Sequence, residues 1–161
     1  MQKPRRKNKK YSLPSAPPLT AQERVSKNMR ANKSKNTLPE VTLRRALWQH
    51  GLRGYRLHWK HAPGKPDICY PGRRLAIYVH GCFWHRCPHC QPTLPKSNTA
   101  FWQEKFDKNQ ARDQKYRAQL KAANWQVLVI WECQLQQDVA GCLFAIKALH
   151  AGAPDSYSWA A

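Results

Sequence analysis

The sequence predicts an α/β fold, a mixed central sheet flanked by helices in the order α-β-β-β-α-β-α. Two short stretches with apolar interiors, Asp67 to Tyr70 and Leu75 to Val79, are separated only by Pro-Gly-Arg-Arg, which is hairpin chemistry. A long segment of helical spacing follows from Thr99, and then Val127-Leu128-Val129-Ile130, which reads as a fully buried strand. A strand, a helical crossover and another strand imply parallel pairing beside the antiparallel hairpin, so the sheet is mixed.

Each element has its own local cause. Pro39 and Glu40 suit a helix start, proline by its fixed φ and the acid by the positive end of the helix dipole. That helix runs to about His50 with an apolar stripe of Leu43, Ala46 and Leu47. Tyr55 to Trp59 is a first extended stretch, set off from Asp67 by His-Ala-Pro-Gly-Lys-Pro. From Thr99 to Ala123 the positions Trp102, Phe106, Tyr116, Leu120 and Ala123 recur at helical spacing, while Lys105, Lys108, Arg112, Lys115 and Arg117 take other faces. Val139, Cys142, Leu143, Ile146 and Leu149 mark a closing amphipathic helix, and Cys69 and Cys142 fall on apolar patterns as core residues.

The 161 residues suit one domain, and 28 lysines and arginines against 9 acids leave a formal net charge of +19. Such an excess points to a polyanionic partner, nucleic acid foremost, with a merely solvated surface as the competing account. Residues 1–23 read as a disordered basic, proline-containing arm, residues 24–150 as the folded domain and residues 151–161 as a tail. No secretory h-region is visible, and the longest strongly apolar run, Val127 to Trp131, is far too short to span a bilayer. The expectation is a soluble, intracellular protein with no membrane partner.

The densest chemistry lies in Tyr-Val-His-Gly-Cys-Phe-Trp-His-Arg-Cys-Pro-His-Cys, Tyr78 to Cys90. In a reducing compartment, clustered cysteines point to a metal or to burial rather than to disulfides. Cys82, Cys87 and Cys90 supply three thiolates and Cys133, just after the buried strand, a fourth; His89 is the alternative to Cys90. Four such ligands suit a structural Zn²⁺ closed to water. Phe83 and Trp84, in a short loop between ligands, read as displayed rings able to enter DNA where pairing is defective; Trp102 suits either that role or the helix core.

If Pro71 to Arg74 is a four-residue turn, Tyr70 pairs with Leu75 and Asp67 falls opposite Tyr78. His80 then shares its face at about 7–8 Å on the diagonal. Such a pair suits Mg²⁺ beside a histidine that moves protons near neutral pH. A strand cap or an ion pair would equally explain Asp67, and the helix dipole would explain Glu40.

The combined motifs resemble a known family, the very short patch repair (Vsr-type) DNA mismatch endonucleases. The matching pieces, in family order, are Ser26 to Arg30, Pro39 to Arg44, Pro63 to Asp67, His80 to His85, Leu94 to Asn98, Phe101 to Lys105, Lys108 to Asp113 and Val129 to Cys133. The uninterrupted His-Gly-Cys-Phe-Trp-His with the downstream Trp-Glu-Cys is the specific part. The resemblance implies a restriction-endonuclease-like PD-(D/E)XK core and Mg²⁺-dependent cutting of one strand, 5′ to the thymine of a T:G mismatch left by deamination of 5-methylcytosine. It implies Asp67 and the Val79 backbone carbonyl as Mg²⁺ ligands, His85 as general base, His80 as second active-site imidazole, and Glu40 and Asp113 as accessory acids. Phe83, Trp84 and Trp102 would form the wedge beside the mismatch, Met29 the minor-groove contact, and Lys27, Asn28 and Arg30 its neighbours on the DNA. Partners so implied are double-stranded DNA with a T:G mismatch, a DNA cytosine-5 methyltransferase and mismatch-repair proteins, acting with a monomer at a prokaryotic cytoplasmic nucleoid. Two departures stand out: Val79 where the best-known members have threonine, and Cys87 where histidine is frequent.

Overall fold

The computed structural model describes residues 33–154 together with Thr20 and Glu23. The chain divides into two units, and the fold set out below is that of the second, which begins at Ser34. In the first, Glu23 accepts hydrogen bonds from the backbone N–H and the hydroxyl of Thr20.

Helix α1 spans Leu38–Gln49 and starts in a capping box, the Thr37 hydroxyl accepting from the Glu40 N–H while the Glu40 carboxylate accepts from Thr37. Strands β1 (Arg56–Leu57), β2 (Ile68–Tyr70) and β3 (Leu75–His80) follow, the last two joined by a 3-10 turn at Pro71–Arg73. Helix α2 is a single turn, Cys82–His85, and α3 is long, Thr99–Ala122. Strand β4 (Gln126–Trp131) leads into α4 (Glu132–Gln137) and α5 (Val139–His150).

The sheet order is β1-β2-β3-β4, antiparallel at the first two junctions and parallel between β3 and β4, the mixed sheet that the sequence predicts. Tyr70 pairs with Leu75 and Ile68 with Ile77, the hairpin register expected. Because side chains alternate across a strand, each face gathers its own set. Ile68, Tyr70, Leu75, Ile77, Val79, Leu128 and Ile130 meet Leu43 and Leu47 of α1, Leu135 of α4 and Leu143, Ile146 and Leu149 of α5. Cys69, Ala76, Tyr78 and Val127 lie on the opposite face with Leu120 of α3. Cys69 and Cys142 are both buried, as the apolar pattern requires.

Five local expectations need correction. The ladder of β1 covers Arg56–Leu57 rather than Tyr55 to Trp59, because His58 turns into a left-handed conformation at φ +44° and breaks the extended run. The stretch carrying Phe83 and Trp84 is a helical turn rather than a loop. Helix α4 was not foreseen, although the Gln134 side chain accepting the Trp131 N–H is a start signal that the spacing contains. Along α3 only Phe106 and Leu120 are buried, and Ala123 is exposed at its cap. Val127 and Val129 are likewise half-buried, so β4 is not enclosed on both faces as predicted.

Gly64, in Pro-Gly-Lys-Pro-Asp, illustrates how the turn before Asp67 is made. Its φ is +71°, and a Cβ there would lie 2.6 Å from the Tyr78 hydroxyl and from the Tyr116 ring. The Tyr78 hydroxyl donates to the Pro63 carbonyl at 3.1 Å, so the ring is not free to withdraw. Gly64→Ala is expected to lower the unfolding free energy by about 3 kcal/mol, from overpacking added to left-handed strain. Urea unfolding checks this, and a loss under about 1 kcal/mol would mean the turn relaxes freely.

Candidate active site and thiol cluster

Asp67 sits just before β2, where the hairpin register carries it alongside β3. Its Oδ2 accepts the Val79 N–H at 2.8 Å, which orients the carboxylate. The side chain is 21% exposed, and burial pushes its pKa up to about 6; the Val79 hydrogen bond opposes this shift and the Glu40 charge adds to it.

The imidazole nearest Asp67 is His58, which sequence reasoning missed, rather than His80. His58 Nδ1 lies 3.7 Å from Asp67 Oδ1 and its Nε2 3.7 Å from Glu40 Oε2. The pairing of Leu57 with Ile68 signals this, since it carries the next residue of β1 toward Asp67; the His58 N–H reaches the Asp67 carbonyl at 3.4 Å. Glu40 is buried, its Oε2 accepting the Asn36 N–H and its Oε1 the Thr37 hydroxyl. Burial lowers the pKa of His58, with Glu40 pulling the other way.

A second cluster brings together His80, His85 and Asp113, from the end of β3, from α2 and from α3. The His80 and His85 rings stack at 3.9 Å between centroids and 15° between planes. His85 Nδ1 is paired with Asp113 Oδ2 in a short contact. Burial, with His85 adding to it, pushes the buried His80 down to about 3, so it is neutral at physiological pH. Burial works against ionised Asp113, but the His85 hydrogen bond and nearby positive charge outweigh it and hold the carboxyl below its ordinary value. Asp113 had no local spacing signal; only the family motif singled it out.

The sulfurs of Cys82, Cys87, Cys90 and Cys133 all lie within 4.8 Å of one another. Cys87 and Cys133 are 3.7 Å apart, near the edge of about 3.8 Å that four thiolates make around a tetrahedral metal at about 2.3 Å. All four are free thiols, and the Cys133 N–H approaches Cys82 Sγ at 3.4 Å. This donor set could hold a metal. His89 is exposed, its ring 6.4 Å from that of Trp131, and does not share the cluster.

Phe83, Trp84 and Trp102 do assemble, but as half-buried rings rather than displayed ones. Phe83 lies 5.4 Å from Trp102 and 5.2 Å from buried Phe106, and Trp102 stacks on Phe106 at 5.8 Å. Burial on Phe106 is the reason the loop expectation fails, since one helical turn lays both α2 rings against α3. The Asn109 amide donates to the Trp84 carbonyl at 3.0 Å and Lys105 lies over the Trp84 ring. Lys27, Asn28, Met29 and Arg30 lie outside the described residues.

Comparison with known proteins decides the family. Residues 19–91 match the family model described as DNA mismatch endonuclease Vsr. The Type II nicking enzyme V.XorIIP of Xanthomonas oryzae pv. oryzae is 48% identical over 107 residues, covering 66% of this chain and 78% of the relative. The chain belongs to the Vsr family. The DNA mismatch endonuclease Vsr of Escherichia coli is 40% identical over 112 residues, 69% of this chain and 70% of that protein. The Type II nicking enzyme V.NmeAIP of Neisseria meningitidis is 43% identical over 103 residues, 64% of this chain and 73% of that protein. As a Vsr family member the protein is a DNA endonuclease, and a family of nucleases suggests a divalent metal. Among the described residues no helix is long and apolar enough to cross a membrane.

The raised pKa of Asp67 has a direct consequence for stability. A carboxyl whose folded pKa exceeds its unfolded one stabilises the fold below about pH 4 and loses that contribution as pH rises through about 6. Without added divalent ions, Asp67→Asn is therefore expected to be more stable than wild type above pH 6, on the order of 2 kcal/mol, and equal to it near pH 4. Thermal unfolding from pH 4 to 8 measures the difference; a variant less stable at pH 7.5 would contradict it.

Proposed function

We propose that this chain is a Mg²⁺-dependent, strand-specific nicking endonuclease that cuts 5′ to the thymine of T:G mismatches and so initiates very short patch repair. The observation that carries the proposal is the juxtaposition, at one end of the sheet, of an oriented, partly buried carboxylate, Asp67, with the His85–Asp113 pair and the aromatic cluster of α2 and α3. Charge reaches between the two groups, since His85 lowers the Asp67 pKa against its burial. The mixed sheet with helices on both faces supports a restriction-endonuclease-like PD-(D/E)XK core.

The donor set fits a divalent cation. Asp67 is a partly buried acid whose Oδ1 makes no hydrogen bond among the described residues, and a cation would offset the burial that holds its proton. Held by Asp67 and the Val79 carbonyl, Mg²⁺ would supply positive charge to the scissile phosphate. His85 acts as the general base: donation from Nδ1 to Asp113 fixes the tautomer in which Nε2 carries a lone pair, so Nε2 accepts the proton of the attacking water. Asp113 then stabilises the imidazolium, and neutral His80, stacked on that ring, adds no positive charge against it. Glu40, tied into the start of α1, contributes negative charge beside Asp67.

The four thiolates would hold a structural Zn²⁺ with no position left for water, and would tie α2 to the start of α4. Phe83, Trp84 and Trp102 would enter the DNA beside the mismatch, where unstacking costs least, and Lys27, Asn28, Met29 and Arg30 would contact the duplex. A cytosine-5 methyltransferase would generate the 5-methylcytosine whose deamination yields the substrate. Mismatch-repair proteins would act after the nick, in the prokaryotic cytoplasm at the nucleoid, on a product released by a monomer.

On labelled duplexes with Mg²⁺, the T:G substrate is expected to be nicked and its T:A counterpart spared, with Asp67→Ala slower by at least about 10³-fold yet still binding the mismatch. Equal cutting of both duplexes would favour a nuclease without mismatch preference, and retained cutting by Asp67→Ala would refute its role. Cys133→Ser is expected to reduce the zinc-to-chain ratio from near unity and to lower Tm and nicking together. A variant that keeps its melting temperature without zinc would refute the structural role of the thiols.

A further inference from the structure

We infer that His58 is a ligand of the divalent ion seated at Asp67, so that this ion is held by an imidazole together with the carboxylates of Asp67 and Glu40, and that the site, although Mg²⁺ serves the proposed reaction, binds Mn²⁺ more tightly than Mg²⁺. The inference rests on the reading that Asp67 seats a divalent ion; it adds which other side chains do so and which ion they select.

Three independent features of His58 lead there. Its Nε2 is buried and has no hydrogen-bond partner, an uncommon condition for a ring nitrogen inside a protein. Both neighbouring carboxylates stand at 3.7 Å, one from each ring nitrogen, too far for a hydrogen bond. One ring nitrogen takes one ion, so a single nitrogen of His58 would serve; Glu40, His58 and Asp67 each offer one ligand atom within 4.8 Å of the others, a grouping that one ion could join. The ring is also held at a price in backbone conformation, with φ at +44° on a residue that is not glycine. His80 and His85 belong to the separate cluster with Asp113, so the imidazole beside Asp67 is His58.

The choice of ion follows from the donor atoms. Mg²⁺ takes oxygen ligands and keeps much of its water, so a ring nitrogen suits it poorly. Mn²⁺ accepts carboxylate oxygen as readily and tolerates imidazole better. A hydrogen-bonded carboxylate–imidazole–carboxylate chain without any ion is the account to be tested against.

The full zinc-loaded chain is titrated with Mn²⁺ alone and followed by electron paramagnetic resonance, with pulsed measurements for ¹⁴N coupling. Bound Mn²⁺ with ¹⁴N coupling is expected, and at least about tenfold more Mg²⁺ than Mn²⁺ is needed to displace it. His58→Gln, which replaces the nitrogen donor with an oxygen donor of similar reach, is expected to keep Mn²⁺ binding, lose the coupling and narrow that ratio. His85→Gln is expected to retain the coupling, which separates the two clusters. Mn²⁺ bound without ¹⁴N coupling, or coupling that survives in His58→Gln, overturns the role of His58 and leaves the seat at Asp67 standing. No Mn²⁺ binding, or binding undiminished in Asp67→Asn, overturns that seat and this inference with it.

Discussion

Strands β3 and β4 run parallel and end level, His80 against Trp131, and the chemistry beyond them depends on that register. Two residues past each strand end stand Cys82 and Cys133, and level ends bring their sulfurs into one cluster although 50 residues of chain lie between the strands' outgoing segments. The antiparallel partner does the same on the other side, since the pairing of Ile68 with Ile77 carries Asp67 to the Val79 N–H. A slip of one residue at either junction would turn every side chain to the opposite face and separate the groups.

That register also explains how a four-residue helix is kept. A single turn such as Cys82–His85 has no stability of its own, because helix nucleation is unfavourable in so short a segment. Here its first residue belongs to the thiol cluster, its two aromatic rings pack on Trp102 and Phe106, and its last residue pairs with Asp113. The contacts reach two elements, α4 through Cys133 and α3 through Trp102, Phe106 and Asp113, so the turn is fixed from both sides. The His85 ring that results is oriented before any substrate arrives.

In a chain with a net charge of +19, the buried ionisable groups at the end of the sheet form two distinct environments. Asp67 and Glu40 concentrate negative charge against a lowered-pKa His58, a setting in which a cation is welcome. Around His85 the acid is ionised and the neighbouring His80 is neutral, a setting in which a proton can be taken up. Two carboxylate–imidazole groupings of similar composition are thus poised differently by burial and by which partner each acid faces.

Much of the arrangement was legible in the sequence. Hairpin chemistry around Pro71, the apolar block at Val127 and the spacing of Cys82, Cys87 and Cys90 are local signals, and local signals determined the hairpin, the mixed sheet and three of the four thiols. The motif His-Gly-Cys-Phe-Trp-His carried the family. Tertiary structure alone decided which acid meets which imidazole: His58 stands at Asp67 and Asp113 at His85, because those pairings arise from strand register and from where α3 crosses the sheet. It also decided that Phe83 and Trp84 are half-buried, since Phe83 packs on Phe106 and Trp84 on Trp102, both in α3 and distant along the chain. Periodicity reports what one element prefers by itself, whereas contacts between distant elements depend on how the whole chain packs.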